Sequence, residues 1–218
     1  MSRFYPVFLD IDGKRAVVIG GGPVAHRKAA SLIEAGAAVT VISPEAVPAI
    51  ARLAERGLLV HKPRKYRKGD LRGAVVAIAA TDDQPVNERA SSEARDLGIL
   101  INCASPPSSG NFMVPSSIRK GALTLAISTG GASPALSMRL RQDLEAFLGG
   151  RYSWFLEFLE EARVRLKADV KDEVARQKIL SKLVDFCLSE ELADMPNGEA
   201  LLKAGLMLES MLTAFRSK

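Results

Sequence analysis

The sequence predicts an α/β fold, with a parallel β-sheet and flanking helices in the first half of the chain and helices alone at its end. Short β-branched apolar runs alternate with helical patterns up to residue 103, and this alternation is typical of βαβ units. From residue 151 onward no strand pattern remains, and apolar residues recur at helical spacing. Right-handed crossovers place the loops that follow parallel strands along one edge of the sheet, where ligands bind. The predicted strands are 15–19, 38–42, 58–61, 75–79 and 100–103, and the predicted helices between them are 24–35, 47–56 and 85–97.

The composition is that of an ordinary globular chain, with 47% hydrophobic and 25% charged residues among 218. It excludes disordered and collagen-like proteins. The longest apolar runs, such as 74–80, are too short to span a bilayer, and the first residues lack the apolar core of a signal peptide. The two cysteines, Cys103 and Cys187, form no CxxC pair and indicate neither a disulfide framework nor structural zinc. We therefore expect a cytoplasmic protein with no membrane partner and no metal site.

The chain has a basic excess, with a formal net charge of +5. Such an excess fits an anionic partner, and it fits simple solubility equally well. The densest basic run is His-Lys-Pro-Arg-Lys-Tyr-Arg-Lys at 61–68, and no RNA- or DNA-binding motif accompanies it. We therefore predict that this run is an exposed surface loop and that the protein has no nucleic-acid partner.

Turn-forming residues separate the predicted sheet from the second half of the chain. In order, the sequence predicts a loop at 105–111, strands at 112–114 and 123–127, a loop at 128–132 and a helix that reaches 148. Ser133 fits the N-cap of this helix and Pro134 fits its first position. Gly149 and Gly150 are predicted to end it.

The most informative local motif is the run Gly-Gly-Gly-Pro-Val-Ala at 20–25, which fits G-x-G-x-x-A between a strand and a helix. Gly20 allows the tight turn, Gly22 removes a Cβ that would block a pyrophosphate, and Ala25 keeps the helix close to the strand. The helix N-terminus offers N–H groups and the positive end of the helix dipole to phosphates. Pro23 suits the first helical turn, where its missing N–H costs little. The motif in this context predicts a Rossmann-type dinucleotide-binding domain.

Residues that follow two other strands extend the predicted cofactor site. Dinucleotide sites usually carry Asp or Glu at the end of the second strand, where it holds the ribose hydroxyls. Here Ser43 takes that position, and Glu45, just beyond it, would repel a 2′-phosphate. We therefore expect NAD rather than NADP. After the fourth strand, Thr81 can hydrogen-bond a cofactor or cap the next helix, and capping is also the alternative for Asp82 and Asp83.

Further motifs occur in a fixed order along the chain. They are Tyr-Pro-Val-Phe-Leu at 5–9, the glycine loop with His-Arg-Lys at 20–28, Glu-Ala-Gly-Ala at 34–37, Ala-Ile-Ala-Ala-Thr-Asp-Asp at 77–83 with Val86 and Asn87, Asn102, Phe-Met-Val-Pro at 112–115, and Ile-Ser-Thr-Gly-Gly-Ala-Ser-Pro-Ala at 127–135. This ordered set, from about Phe4 to about Phe147, resembles the precorrin-2 dehydrogenase family, which includes the dehydrogenase and ferrochelatase part of siroheme synthases. The segment after Gly150 is only loosely similar to the helical tail of that family.

The resemblance implies NAD-dependent oxidation of precorrin-2 to sirohydrochlorin, on the way to siroheme or cobalamin. It implies a homodimer, and it divides the chain into an NAD-binding Rossmann-type domain at 1–111, a small dimerisation and substrate-loop segment at 112–148, and a helical C-terminal domain at 149–218. The expected cofactor-binding residues are Gly20, Gly21, Gly22, Pro23, Val24, Ser43, Pro44, Thr81 and Asp82.

Precorrin-2 is a polycarboxylate, so its site should bind anions. The helix that starts at Ser133, with the loop before it, offers N–H groups and hydroxyls to an anion. The alternative for the same residues is a turn followed by an N-cap. The expected substrate-binding residues are Asn102, Ser128, Gly130, Gly131 and Ser133, and by the resemblance Ser128 falls on a serine in the family's active-site region.

One departure from the family pattern lies just after the predicted fifth strand. The family commonly has Asp there, whereas this chain has Ser105 and Pro106. A serine cannot act as a carboxylate base at neutral pH. The departure argues against metal insertion more than against hydride loss, because water or a substrate carboxylate can take the proton. We expect Ser105 and Ser128 to be the catalytic residues. The alternatives are a bifunctional dehydrogenase and ferrochelatase that makes siroheme, and a non-catalytic NAD-binding scaffold protein.

Overall fold

The computed structural model describes residues 4–148, 151–193 and 195–216. Contacts between residues divide the chain into two compact units, the first ending at Val114 and the second starting at Pro115. The predicted end of a helix at Gly149 and Gly150 lies outside the described residues. The three-part division with boundaries after residues 111 and 148 stays a prediction.

Strands and helices alternate in the first unit. They are β1 (Arg15–Ile19), α1 (Pro23–Glu34), β2 (Ala38–Ile42), α2 (Pro48–Glu55), β3 (Leu59–Lys62), β4 (Val76–Ala79), α3 (Gln84–Asp96) and β5 (Leu100–Cys103). The five strands form one parallel sheet in the order β3-β2-β1-β4-β5. The α/β prediction is confirmed, and each predicted strand and helix of this unit is confirmed to within one residue at either end.

Alternate residues of the central strand β1 face two separate apolar clusters. Ala16 and Val18 pack in a cluster with residues of α1 and α2. Val17 and Ile19 pack in a second cluster, with residues of α3, on the opposite face of the sheet. A strand buried on both faces needs a continuous apolar sequence, which is why the run 15–19 predicts this strand without any alternation of polar residues.

The segment between β3 and β4 covers one face of the sheet without forming a helix. Tyr66 and Leu71 are buried in the α3-side cluster. The Tyr66 hydroxyl donates to one carboxylate oxygen of Glu93 on α3, at 2.5 Å, and the other oxygen accepts the backbone N–H groups of Gly69 and Leu71 at 2.9 and 3.3 Å. Burial and the Glu93 carboxylate raise the pKa of Tyr66 well above its ordinary value. The prediction of an exposed loop at 61–68 is therefore wrong at Tyr66.

An ion pair stabilises the same segment. The Arg64 guanidinium donates from both terminal nitrogens to the two carboxylate oxygens of Asp70, at 2.7 and 2.6 Å. The backbone N–H of Arg67 adds a third hydrogen bond to Asp70, at 2.8 Å. The hydrogen bond from Arg64 lowers the pKa of Asp70 and favours its charged form. Part of the positive charge of this basic run is thus neutralised within the fold.

The second unit begins with a hairpin and a helix. Its first elements are β6 (Ser116–Lys120), β7 (Leu123–Ile127), which pairs antiparallel with β6, and α4 (Pro134–Leu148). The predicted strand at 123–127 and the predicted helix are confirmed, but the predicted strand at 112–114 is wrong. Proline cannot donate to a strand ladder, and pairing starts only after Pro115. The Phe112 carbonyl instead accepts a hydrogen bond from the Asn102 side chain at 3.1 Å.

Among the described residues from 151 to 216, helices are the only regular elements, as predicted. They are α5 (Arg151–Asp169), α6 (Glu173–Cys187), α7 (Glu190–Ala193) and α8 (Asn197–Arg216). Their apolar faces enclose a core with Trp154, Phe155, Leu166, Leu183 and Leu212 among its buried members. Within the described stretches, no helix is both long enough and apolar enough to cross a membrane.

Candidate functional site

Of the five loops that follow parallel strands at one edge of the sheet, four contain predicted site residues. They start at Gly20 after β1, Ser43 after β2, Ala80 after β4 and Ala104 after β5. β1 is paired with β2 on one side and with β4 on the other, so the chain reverses its direction across the sheet at this point. In open α/β sheets, ligands bind outside the carboxyl ends of the strands at such a reversal. The candidate site is therefore the edge around β1 and β4.

Two glycines allow the neighbouring loops to pack closely around this point. Gly20 has a φ of +119°, and a Cβ on it would lie 2.2 Å from the Ala80 carbonyl oxygen. A Cβ on Gly21 would lie 1.9 Å from the Glu45 carbonyl oxygen and 2.7 Å from Ser43 Oγ. Neither position has room for a side chain. Gly20 and Gly21 therefore serve the packing of the β1 loop against the β4 and β2 loops.

Gly22 has a different environment. A Cβ on it would have no heavy atom within 4 Å. Gly22 is the N-cap of α1, makes no side-chain cap, and is followed by Pro23 at the first helical position. The N–H groups of Val24 and Ala25 lie in the first turn, where a helix offers no internal acceptor. Open space at the Gly22 N-cap, next to the dipole-aligned N–H groups of the first turn, fits a phosphate group. The residues present therefore fit the pyrophosphate of a dinucleotide.

Ser43 is nearly inaccessible, with 4% of its surface exposed. His61 Nε2, on β3, lies 3.1 Å from Ser43 Oγ and 3.1 Å from the Ser43 carbonyl oxygen. The Ser43 hydroxyl therefore lies between His61 and Gly21 of the glycine loop. Pro44 and Glu45, which follow it, are exposed. The sequence places Ser43 at this strand end, but it gives no sign of the contact with His61.

A buried asparagine joins the loops that follow β4 and β5. Asn87 on α3 is 1% exposed. Its Nδ2 donates to the Thr81 carbonyl at 2.9 Å and to the Ser105 carbonyl at 3.0 Å, and its Oδ1 accepts the Thr81 hydroxyl at 3.0 Å. Sequence reasoning missed this role. The available signal was an amide beside Val86, Ala90 and Ala94 on the inward face of α3. A buried polar group requires partners.

The acidic residues after β4 differ from one another in their contacts. Asp83 is the N-cap of α3, and its Oδ1 accepts the Val86 N–H at 3.1 Å. Its own N–H donates to Thr81 Oγ1 at 3.1 Å. The capping interpretation therefore holds for Asp83, whereas the Asp82 side chain is exposed at the edge of the sheet.

The loop after β5 carries Ser105 on its surface. The Ser105 side chain is exposed, and its carbonyl is fixed by the Asn87 contact described above. The Asn102 side chain is half-buried and donates to the Phe112 carbonyl. Asn111 pairs with the outer edge of β5 through Ile101 and Ile99, at 2.7 and 3.0 Å. The loop is thus held by amide side chains, and Ser105 is presented to solvent at the same sheet edge as the glycine loop.

The remaining predicted residues lie in the second unit, between β7 and α4. Ser128 Oγ accepts the Gly130 N–H at 3.1 Å. Ser133 Oγ accepts the Leu136 N–H at 3.2 Å, so Ser133 acts as the predicted N-cap of α4. Thr129 Oγ1 accepts the Ser133 N–H at 3.1 Å and fixes the turn before the helix. Gly130 and Gly131 both have positive φ, at 65° and 89°.

The side chains around the sheet edge are suited to binding more than to metal chemistry. In the part of the chain that the structure describes, no three His, Cys, Asp or Glu side chains are grouped so that they could hold a metal ion. The edge offers instead backbone donors at α1, the exposed hydroxyl of Ser105 and the exposed carboxylate of Asp82. Such groups bind and orient an anionic cofactor and a polar substrate.

Two family models match the chain. One, described as "Putative NAD(P)-binding", matches residues 7–116, which contain the whole parallel sheet. The other, described as "Sirohaem biosynthesis protein central", matches residues 120–146, which contain β7 and most of α4.

Curated relatives cover most of the chain. A precorrin-2 dehydrogenase from Priestia megaterium is 34% identical over 181 residues, which are 83% of this chain and 89% of the relative. Siroheme synthases from Thioalkalivibrio sulfidiphilus and Chromobacterium violaceum are each 35% identical, over 86% and 93% of this chain. The matched regions are 38% and 43% of those two proteins, so the chain spans only about two fifths of their length.

A solved structure matches both units. SirC, a precorrin-2 dehydrogenase, superposes with a TM-score of 0.74 at 30% sequence identity, and the match covers 93% of this chain and all of SirC. The sheet with its glycine loop, the central segment and the helices are therefore all shared with one protein. The chain belongs to the precorrin-2 dehydrogenase family, which includes the corresponding part of siroheme synthases.

Proposed function

We propose that this chain oxidises precorrin-2 to sirohydrochlorin with NAD⁺ as the hydride acceptor. The observation that carries the proposal is the open N-terminus of α1 at Gly22, at the reversal point of the sheet, in a chain of this family. In the balanced reaction precorrin-2 loses two electrons and two protons. One hydride goes to NAD⁺ and one proton goes to water, which gives NADH and sirohydrochlorin.

The proposed cofactor site follows the sheet edge. Residues 20–24 bind the pyrophosphate, and Ser43 with Pro44 borders the adenosine ribose. Thr81 and Asp82, at the end of β4, border the other half of the dinucleotide. NAD⁺, when bound, supplies the carbon that accepts the hydride, and the residues of the chain bind and orient it. The carboxylate of Glu45 disfavours a 2′-phosphate, which supports NAD over NADP.

Each unit carries polar residues that we propose to contact the substrate. N–H and O–H groups would bind the carboxylates of precorrin-2. They belong to Asn102 in the first unit and to Ser128, Gly130, Gly131 and Ser133 in the second. Ser105, on the loop after β5, would orient the substrate or a water by its hydroxyl. It holds a proton and does not remove one at neutral pH, so the released proton passes to water or to a substrate carboxylate.

We further propose that the protein acts as a homodimer in the cytoplasm, without a nucleic-acid or membrane partner. In this proposal 112–148 is the dimerisation and substrate-loop segment, between the NAD-binding domain at 1–111 and the helical domain at 149–218. Exposed apolar side chains on α4 support it, since large apolar groups left on a helix surface often mark an interface. They include Leu136, Met138, Leu140 and Phe147.

The test is an anaerobic reaction of the purified chain with precorrin-2 and NAD⁺, followed by the visible spectrum. We expect the sirohydrochlorin spectrum to appear with NAD⁺ and more slowly with NADP⁺. An unchanged spectrum with bound NAD⁺ would contradict the dehydrogenase and leave a scaffold protein. A parallel reaction of sirohydrochlorin with Fe²⁺ or Co²⁺ tests metal insertion, and we expect no increase above the rate without protein.

A further inference from the structure

His61 is placed to control the hydroxyl of Ser43. It lies near the end of β3, where its Cα is paired with that of Val41 on β2. The Ser43 N–H continues the pairing with the Lys62 carbonyl at 3.3 Å, which keeps the residue after β2 beside β3. The His61 Nε2 atom then reaches two atoms of Ser43, the hydroxyl and the carbonyl oxygen, at 3.1 Å each.

The tautomer of His61 decides which way the hydrogen bonds run, and the Ser43 carbonyl oxygen favours the tautomer with a proton on Nε2. A carbonyl only accepts, so its contact with Nε2 is a hydrogen bond only when Nε2 carries the proton. A protonated Nε2 cannot accept from the Ser43 hydroxyl, so the hydroxyl shares the same N–H as an acceptor. In that tautomer the hydroxyl proton of Ser43 is available to another acceptor.

The Ser43 oxygen also faces the glycine loop. It lies 2.7 Å from the position that a Cβ on Gly21 would take, and Ser43 itself is almost fully buried. In dinucleotide-binding sheets the end of the second strand meets the adenosine ribose. A donor directed from this point has a ribose oxygen as its natural acceptor.

We propose that His61 is a positioning residue for the cofactor: it fixes Ser43 so that the Ser43 hydroxyl donates its proton to the ribose of the adenosine half. The inference rests on the proposed function, because it assumes that a dinucleotide binds at this edge. It also explains how a neutral serine can replace the carboxylate usual at this position. The carboxylate accepts from the ribose hydroxyls, whereas Ser43, oriented by His61, donates to a ribose oxygen.

The test measures NADH affinity by fluorescence titration of the full chain, with no turnover needed. His61→Leu keeps the bulk of the side chain and removes the donor, and we expect it to weaken NADH binding about fivefold, the value of one neutral hydrogen bond. His61→Gln retains an N–H donor and is expected to restore most of the affinity. Val60→Ala, on the neighbouring exposed position of β3, is the matched control and should bind as wild type does.

A double-mutant cycle separates positioning from direct contact. If His61 acts through Ser43, then Ser43→Ala with His61→Leu binds NADH no more weakly than Ser43→Ala alone. Additive losses, or wild-type affinity in His61→Leu, would overturn the inference while leaving the proposed function intact. Equal losses in the Leu and Gln variants would also overturn it, because they indicate a role of the ring in packing. Failure of the wild-type chain to bind NADH would overturn both proposals.

Discussion

The same substitution at two glycines of one loop should separate folding from cofactor binding. Gly22 has φ −82° and ψ −176°, which alanine adopts without strain, and its added methyl group would point into open space. Gly20 has φ +119°, and its added methyl group would lie within 2.2 Å of the Ala80 carbonyl oxygen. Gly22→Ala should therefore fold normally and bind NADH poorly, whereas Gly20→Ala should be destabilised.

The magnitudes follow from the local geometry. In Gly22→Ala, the loss of a favourable N-cap residue costs less than about 1 kcal/mol of stability. The lower conformational entropy of the unfolded chain offsets this loss by about 0.4–1 kcal/mol. A net change within about 1 kcal/mol moves Tm by no more than about 4 °C for a protein of this size. The methyl group keeps the pyrophosphate away from the N–H groups of α1, and loss of one charge-assisted hydrogen bond weakens binding by roughly 10- to 100-fold.

For Gly20→Ala, a left-handed backbone costs about 1–3 kcal/mol, and the overlap with a backbone oxygen adds to this. The assay is thermal unfolding followed by circular dichroism, paired with NADH titration by fluorescence. Wild-type NADH affinity in Gly22→Ala would contradict the phosphate contact at Gly22. Equal losses of stability in the two variants would contradict the open space at Gly22.

Other residues of the first unit give predictions on stability. Asn87→Leu leaves the Thr81 and Ser105 carbonyls without their buried donor and should lower the free energy of unfolding in urea by about 2–4 kcal/mol. A loss below about 1 kcal/mol would show that Asn87 does not hold the two loops together. Tyr66→Phe removes a hydrogen bond to the buried Glu93 carboxylate and should lower the unfolding free energy by about 1.5–3 kcal/mol, whereas an unchanged value would show that the contact contributes nothing. Because Arg64 lowers the folded-state pKa of Asp70, the carboxylate stabilises the protein above the ordinary carboxyl pKa of about 4 and loses that effect as pH falls through the folded value. Asp70→Asn should therefore lower Tm at neutral pH and converge with wild type in acid, and a constant gap across the pH range would contradict the ion pair.

The parallel sheet could be predicted closely because its strands are short apolar runs bounded by glycine, proline and polar residues. The hairpin of the second unit was harder. β6 has the sequence Ser-Ser-Ile-Arg-Lys, and only Ile118 is buried, so hydrophobicity gives almost no signal there. The apolar run at 112–114 gives a false strand signal, because Phe112 packs against the apolar cluster between the sheet and α1.

Contacts between distant residues account for what sequence reasoning missed at the site. The glycine loop is a local motif, and its conformation follows from its own residues and their neighbours. The role of Asn87 depends on carbonyls 6 and 18 residues away, and that of His61 depends on a serine 18 residues away. Tyr66 lies in a basic run that predicts exposure, yet its ring packs in the apolar cluster beside α3, where Glu93 accepts its hydroxyl. Such pairings become visible only once the strand order is known.

We propose above that the glycine loop binds the NAD⁺ that accepts a hydride from precorrin-2. The most direct test of this proposal is the stoichiometry of NADH and sirohydrochlorin, measured together under anaerobic conditions for the wild-type chain and for Gly22→Ala at limiting NAD⁺. We expect one NADH for each sirohydrochlorin with the wild-type chain, and a rate at least about tenfold lower with the variant. Formation of sirohydrochlorin without NADH, or equal rates for the two proteins, would contradict the proposal.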